Sequence, residues 1–157
     1  MQSLHHDDDR GSLLVVEAVR RALTPRTKAI IPVHLTGSIA DMPAIMDIAR
    51  RHGLYVIEDA AQAMGATLHG DHAGSWGDAA CISLHPLKML NVWGDGGICL
   101  TQFAELDQRL RLLRNHGLET RDDAVLFGAN GRLSSLQAVV ANRVIQGLPQ
   151  AVATRRA

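Results

Sequence analysis

The feature that most constrains this chain is a strand, a helix and a second strand joined by short loops. Residues 28–35, KAIIPVHL, are almost continuously apolar, which is typical of a strand buried on both faces of a sheet. Asp41 is expected to cap a helix that tolerates Pro43 in its first turn and stops at Gly53. The second strand, residues 54–57, follows at once. This order predicts a βαβ unit, and therefore a parallel sheet with helices on its faces.

Shorter elements complete the pattern. Further strands are predicted from apolar runs at residues 66–69, 79–83 and 98–101. Helices are predicted from helical spacing and capping residues at residues 12–23, 103–113 and 134–145. Ser12 is expected to cap the first of these helices, and Gly147 with Pro149 is expected to end the last.

Charge and hydropathy exclude several classes of partner. The 157 residues carry 16 acidic and 16 basic side chains, so no net charge attracts nucleic acid or an anionic membrane. No apolar run approaches the roughly 18 residues that would span a bilayer, and the N-terminus lacks the order of a signal peptide. Cys81 and Cys99 fall in predicted strands without CxxC spacing and are interpreted as small core residues. A cytoplasmic protein is expected.

The first residues are polar. Residues 1–11 are predicted to be a disordered N-terminus. The cluster His5-His6-Asp7-Asp8-Asp9 could suggest a metal site, but no second cluster of ligands is spaced to complete one. A solvated terminus is therefore the favoured interpretation, and no metal is expected.

Lys88 stands out because the chain otherwise uses arginine for positive charge. It is one of two lysines, the other being Lys28, among the 16 basic residues. Lysine can lose its proton when desolvated and then act as a nucleophile, which arginine cannot do. Lys88 follows the strand that ends at Ser83, and Asp59 follows another strand. Both are therefore expected at the edge of the sheet where α/β proteins bind ligands.

An aspartate and an unpaired amine at one edge suit pyridoxal 5'-phosphate (PLP). The lysine would hold the cofactor's aldehyde as a Schiff base, and the aspartate would pair with the protonated pyridine nitrogen. The carboxylate keeps the ring charged, because an opposite charge favours the protonated form. Lys88, freed by exchange with an incoming amine, would then move the substrate's α-proton as a base.

Several motifs together resemble one family. IIPVHLTG, IEDAAQAMGA, SLHPLKMLNVWGDGG and GANGRLSSLQA occur in this order between Thr24 and Pro149. The chain is similar to the DegT/DnrJ/EryC1/StrS family of sugar aminotransferases. The resemblance implies an α/β fold: part of the large domain of the aspartate-aminotransferase-like, three-layer α/β/α fold (PLP fold type I). Residues 12–149 would form a partial PLP-binding large domain, and residues 150–157 the start of a small domain.

The resemblance also implies roles for residues near the end of the second strand. Asp59 would pair with the pyridine nitrogen, and Ala61 belongs to the same cofactor-binding set. Gln62, one helical turn on, would lie against the ring or its 3-hydroxyl; the alternative is an ordinary helix start. His34 is also near this edge, where either a substrate contact or a structural role is open.

Three more residues follow from the later motifs. Ser83 would hydrogen-bond the cofactor phosphate, although it is also simply a strand end, and Lys88 would be the catalytic residue and carry the cofactor. Asn130, in a G-x-N-x-R element, would reach the phosphate in the neighbouring subunit, which implies a homodimer with shared sites; the alternative is a plain turn. His85 has the same two interpretations as His34.

The implied activity is transfer of an amino group from glutamate or glutamine to a nucleotide-linked keto sugar. A related subgroup that performs dehydration has histidine in place of Lys88, so Lys88 argues for transamination.

The segment that supplies the family's first phosphate-binding turn and the small domain are both missing, which predicts a central fragment. The alternative function is a truncated, non-catalytic remnant or dimerisation piece. A dinucleotide-binding fold is disfavoured, because residues 94–97, GDGG, precede a strand rather than a helix.

Overall fold

A computed structural model of the protein describes residues 16–156. The expected disorder of residues 1–11, the Ser12 cap and the cluster at residues 5–9 lie outside this range. The helices are Val16–Ala22 (α1), Met42–His52 (α2), Ala104–Leu113 (α3), Ser135–Val144 (α4) and Leu148–Arg156 (α5). The strands are Ala29–Ile30 (β1), Tyr55–Asp59 (β2), Thr67–Leu68 (β3), Asp71–His72 (β4), Ala79–Ser83 (β5) and Gly97–Leu100 (β6).

The main sheet has the strand order β1-β2-β5-β6. The first three strands are parallel, which confirms the predicted βαβ unit, but β6 runs antiparallel to β5. The connection over residues 84–96 contains no helix that could cross the sheet, so the chain returns beside β5 in the opposite direction. The strand predicted at residues 66–69 lies outside this sheet, because β3 pairs with β4 in a separate hairpin.

The first predicted strand is shorter than residues 28–35. Pro32 has no backbone N–H and interrupts the regular ladder after Ile30. The chain nevertheless stays beside β2: Asp59 N donates to Pro32 O at 2.9 Å, and His34 N donates to Asp59 O at 3.0 Å. The loop after β1 is therefore fixed against the end of β2.

Helix α2 matches its sequence signals. Asp41 accepts a hydrogen bond from Ala44 N at 3.1 Å, so its carboxylate caps the helix. Gly53 ends the helix in the left-handed conformation with φ 61°. Met42 and Ile45 are fully buried and pack in one core with α1 and with the inner face of β1 and β2.

The opposite face of the sheet is open among residues 16–156. Tyr55 is 66% exposed there, and Cys81 and Cys99 are exposed as well. The prediction that both cysteines are core residues is therefore wrong: their strands are as predicted, but no described segment covers this face. Helix α3 lies along its side and leaves a groove of about 960 Å³.

The C-terminal helices depart from the expected stop. Ser134 and Gln137 form the predicted capping box at α4. A short 3₁₀ turn at residues 145–147 follows, and the chain then enters α5 instead of ending its helical structure at Gly147 and Pro149. Pro149 occupies the first turn of α5, where its missing N–H costs nothing. No helix within residues 16–156 is long and apolar enough to cross a membrane.

Candidate active site

Two candidate residues lie on the same face at the carboxyl ends of neighbouring parallel strands. Asp59 ends β2 and is the register partner of Cys81 on β5. Ser83 ends β5 two residues later, so the alternation of side chains places it on the face that carries Cys81 and Asp59. This is the open face of the sheet. The pleat thus brings the predicted carboxylate and hydroxyl to one edge.

The neighbouring carboxylate, Glu58, points to the opposite face and is fully buried. Its side chain accepts hydrogen bonds from the backbone N–H groups of Gly74, Trp76 and Gly77, each at 2.8 Å. His34 donates a fourth at 2.9 Å. Glu58 therefore fixes the segment before β5 and the loop after β1 to the strand that presents Asp59.

His34 is a structural partner of this carboxylate. The side chain is fully buried, and its Nδ1 accepts from Ala40 N at 3.4 Å. Nδ1 is thus an acceptor, so Nε2 carries the proton that is donated to Glu58 Oε2. Of the two interpretations left open for His34, the structural one fits this burial and leaves no ring nitrogen for a substrate.

The Glu58 contacts predict a specific acid dependence of stability. Burial raises the pKa of the Glu58 carboxyl, but hydrogen bonds from His34 and from three backbone amides outweigh burial, so the pKa lies below its ordinary value of 4.5. A lowered pKa stabilises the fold above the unfolded-state value, and this stabilisation is lost as the pH falls through the folded-state value. We expect the free energy of unfolding to decrease below about pH 4.5 in the wild type and less steeply in Glu58→Gln.

Urea unfolding between about pH 7 and pH 3 measures this difference. Glu105→Gln is the matched control, because Glu105 lies exposed in the first turn of α3. It should retain the acid dependence of the wild type. Parallel curves for the wild type and Glu58→Gln would contradict the assignment.

The turn after β2 differs from its prediction. Instead of a helix start, the backbone makes two successive turns, from Ala63 N to Ala60 O at 3.1 Å and from Ala66 N to Ala63 O at 3.0 Å. Asp59 Oδ1 accepts from Ala61 N at 3.1 Å, and this local bond offers the backbone an alternative to a helix. One oxygen of the Asp59 carboxylate is thereby held, which orients the group.

Gln62 does not lie on a helix; its side chain instead connects the turn after β2 to the loop after β1. It is exposed, and its Oε1 accepts from Thr36 N at 3.1 Å. Thr36 has φ 52°, and Gly37 follows with φ 87°. The contact of Gln62 with the loop after β1 was not predicted; a threonine–glycine pair directly after a strand was the available sign of an irregular loop.

Lys88 lies in the loop between β5 and β6 and is half-buried. The loop is anchored by Leu84, Leu90 and Val92, which form a buried cluster on either side of the lysine in sequence. Within residues 16–156, the Lys88 side chain makes no hydrogen bond or ion pair, although its backbone N–H donates to His85 O at 2.9 Å. A fixed backbone therefore carries an amine without a protein partner.

The same loop is linked directly to Ser83. The hydroxyl oxygen of Ser83 accepts from His85 N at 3.2 Å, so its own O–H stays available as a donor. His85 Nδ1 accepts from Leu87 N at 3.2 Å, and its Nε2 lies 3.9 Å from Asp95. His85 is partly exposed, so both interpretations of its role, substrate contact and structural support, stay open.

Asn130 lies apart from the other candidates in the described chain. It pairs with Asn115 in an isolated bridge, and its Oδ1 accepts from Arg132 Nε at 3.2 Å. Arg132 also donates to Asn115 Oδ1 at 3.3 Å. No hydrogen bond within residues 16–156 joins Asn130 to Asp59, Ser83 or Lys88. Its role in a neighbouring subunit's site stays a prediction.

Comparisons with known proteins show which family shares these motifs. The sequence model of the DegT/DnrJ/EryC1/StrS aminotransferase family matches residues 7–157. The chain is 51% identical over 133 residues to UDP-N-acetyl-3-dehydro-α-D-glucosamine 3-aminotransferase of Acidithiobacillus ferrooxidans. That alignment covers 85% of this chain but only 36% of the relative, so the chain spans about a third of the relative's length.

Solved structures give the same result for the fold. The crystal structure of Streptomyces venezuelae DesV superposes with a TM-score of 0.84 at 43% identity, covering 87% of this chain and 37% of DesV. NtdA from Bacillus subtilis, solved with bound PMP, superposes with a TM-score of 0.80 at 34% identity. This match covers 86% of the chain and 31% of NtdA.

Proposed function

We propose that this chain carries the central part of a PLP-dependent sugar aminotransferase site. The chain belongs to the DegT/DnrJ/EryC1/StrS aminotransferase family. Its fold is part of the large domain of the aspartate-aminotransferase-like, fold type I enzymes, as the family resemblance implied. The reaction is transfer of an amino group from glutamate or glutamine to a nucleotide-linked keto sugar. Two relatives are named as a sugar-nucleotide aminotransferase and a sugar-nucleotide transaminase, which favours this function over a non-catalytic remnant or dimerisation piece.

One observation carries the proposal: the Lys88 amine has no protein partner in the described structure and lies in the loop that follows Ser83. The donor set at this edge fits PLP by its chemistry. A carboxylate suits the ring nitrogen, a free hydroxyl donor suits the phosphate, and an unpaired amine suits the aldehyde. The family and the PMP-bound relative point to the same cofactor.

When bound, PLP supplies an aldehyde that links covalently to amines and a ring that draws electrons from the substrate's α-carbon. Asp59, with one oxygen held by Ala61 N, keeps its other oxygen available for the proton on the ring nitrogen. Ser83 would donate its O–H to the phosphate, because its oxygen only accepts in the bond from His85 N and its own proton remains available. Gln62 holds the loop at Thr36 against the turn after Asp59.

Lys88 has two tasks in this proposal. It would hold the cofactor covalently, and its free amine would move a proton at the substrate's α-carbon. Leu84 and Leu90 keep the loop packed during this exchange, since both are 1% exposed. Asn130 is assigned to the phosphate of a second subunit's cofactor, which makes the active form a homodimer with shared sites.

The test follows the two halves of the reaction in turn. The purified protein, supplied with PLP and L-glutamate, is expected to form 2-oxoglutarate, and L-glutamine is the parallel donor. The aminated cofactor is then offered UDP-linked 3-keto sugar, as suggested by the name of the Acidithiobacillus relative, and the amino sugar is detected by mass. Covalent cofactor at Lys88 without turnover of either donor would contradict the transaminase function.

A further inference from the structure

Cys81 and Cys99 face each other on the open face of the sheet. They are register partners on the antiparallel strands β5 and β6, so their side chains point the same way. Both side chains are exposed, and both line the groove beside α3. Two thiols therefore lie opposite each other on a surface that no described segment covers.

The hydrogen-bond pattern shows which kind of pair they form. Leu84 N donates to Gly96 O at 2.8 Å, which continues the register of these strands. Hydrogen-bonded and non-hydrogen-bonded pairs alternate in an antiparallel ladder. Counting back three positions from Leu84, Cys81 and Cys99 form a non-hydrogen-bonded pair, in which Cα atoms are about 4.5 Å apart and side chains are closest. This separation falls within the range of about 4.4–6.8 Å found for disulfides.

We propose that Cys81 and Cys99 form a redox-modification site, which a low-molecular-weight disulfide such as glutathione disulfide closes reversibly into a cross-strand disulfide. One cysteine thiolate attacks glutathione disulfide, forms a mixed disulfide and releases one glutathione thiolate. The second cysteine thiolate attacks the protein-bound sulfur, forms the Cys81–Cys99 bond and releases the second glutathione. The two cysteines lose two electrons and two protons, which glutathione takes up.

The position of this pair connects it with the candidate active site. Cys81 is the register partner of Asp59, and the two cysteines bracket residues 84–96, the loop that carries Lys88. A disulfide would tie β5 to β6 at the base of that loop. The modification itself depends only on the two strands and does not require the proposed aminotransferase function.

Charges around the pair affect the rate of exchange. Partial burial raises the pKa of the Cys81 thiol, and the Cys99 thiol and the Asp59 carboxylate raise it further. Glu105 and Arg109 of α3 line the same groove. Because the thiolate is the nucleophile, exchange is expected to be slow at neutral pH and to accelerate at alkaline pH.

The proposal is tested by intact mass and thiol counting after incubation with glutathione disulfide. Both thiols are expected to disappear together, the mass to fall by about 2 Da, and reduced glutathione to restore both thiols. Peptide mapping should join the peptides of Cys81 and Cys99. Retention of two free thiols, glutathione adducts alone, or a disulfide between two chains would overturn the proposal.

Two variants separate geometry from general reactivity. Cys99→Ser should give only a glutathione adduct on Cys81. Cys99→Ser combined with Ile98→Cys moves the second thiol by one residue to the other face of β6, and it should form no internal disulfide. A disulfide in the shifted variant, with a melting curve like that of the wild type, would show that the cross-strand register does not select the pair.

Discussion

Lys88→Ala is expected to abolish covalent attachment of PLP and to lower the rate of amino transfer by about 10²–10⁴-fold, the usual effect of losing a general base. The physical reason is that no other described lysine lies near the carboxyl ends of β2 and β5. Lys88→Arg should be equally inactive, because arginine keeps a positive charge but does not give up its proton. The measurement is the rate of 2-oxoglutarate formation together with the absorbance of bound cofactor.

Lys28→Ala is the matched control, since it removes the other lysine of the chain. Lys28 is exposed and precedes β1, and thus lies at the opposite edge of the sheet from Lys88. Its variant should keep the wild-type rate. Activity in Lys88→Ala comparable to that of Lys28→Ala would exclude the assigned role of Lys88.

Glu58→Ala is expected to reduce the free energy of unfolding by about 3 kcal/mol or more, because several hydrogen-bond donors lose the one carboxylate that accepts from them. The substitution leaves the N–H groups of Gly74, Trp76 and Gly77 without their acceptor and His34 Nε2 without its partner. Each buried donor left unpaired costs about 1–3 kcal/mol when no water replaces the acceptor. Urea unfolding, read from the midpoint and slope, measures the loss.

The adjacent carboxylate supplies the control for this experiment. Asp59→Asn keeps an oxygen that can accept from Ala61 N, and Asp59 is not part of the buried network, so stability should change little. Its effect should instead fall on the cofactor, because a neutral amide no longer favours a protonated ring nitrogen. Equal losses of stability in the Glu58 and Asp59 variants would contradict the division of roles between the two faces of β2.

The sequence was sufficient to predict the parts of the fold that depend on local patterns. The Asp41 cap, the Gly53 stop and the Ser134–Gln137 capping box all form as their residue types indicate. The placement of Asp59 and Ser83 at the ends of strands in one sheet also followed, since apolar runs and short loops indicate the strands and their parallel arrangement; that the two strands are neighbours is seen only in the structure. Their roles toward a cofactor stay predictions.

Other features depend on what lies nearby in space and could not be predicted locally. Glu58 and Asp59 are adjacent carboxylates that the sequence does not distinguish. Only the position of residues 74–77 in the fold shows that Glu58 accepts hydrogen bonds from three backbone N–H groups. The two cysteines were expected in the core because they fall in predicted strands without CxxC spacing, whereas their exposure depends on whether another segment covers that face of the sheet. Pro149 was expected to end a helix but begins one, and both positions suit proline equally well.

The reaction of the purified chain with PLP, followed by borohydride reduction and peptide mapping, most directly tests the assignment of Lys88. Borohydride fixes the covalent link between the cofactor and an amine, so the modified lysine can be identified by mass. We predict that the pyridoxyl group is found on the peptide containing Lys88, not on that containing Lys28, and that Asp59→Asn weakens the labelling. Equal labelling of both lysines, or none at Lys88, would contradict the site.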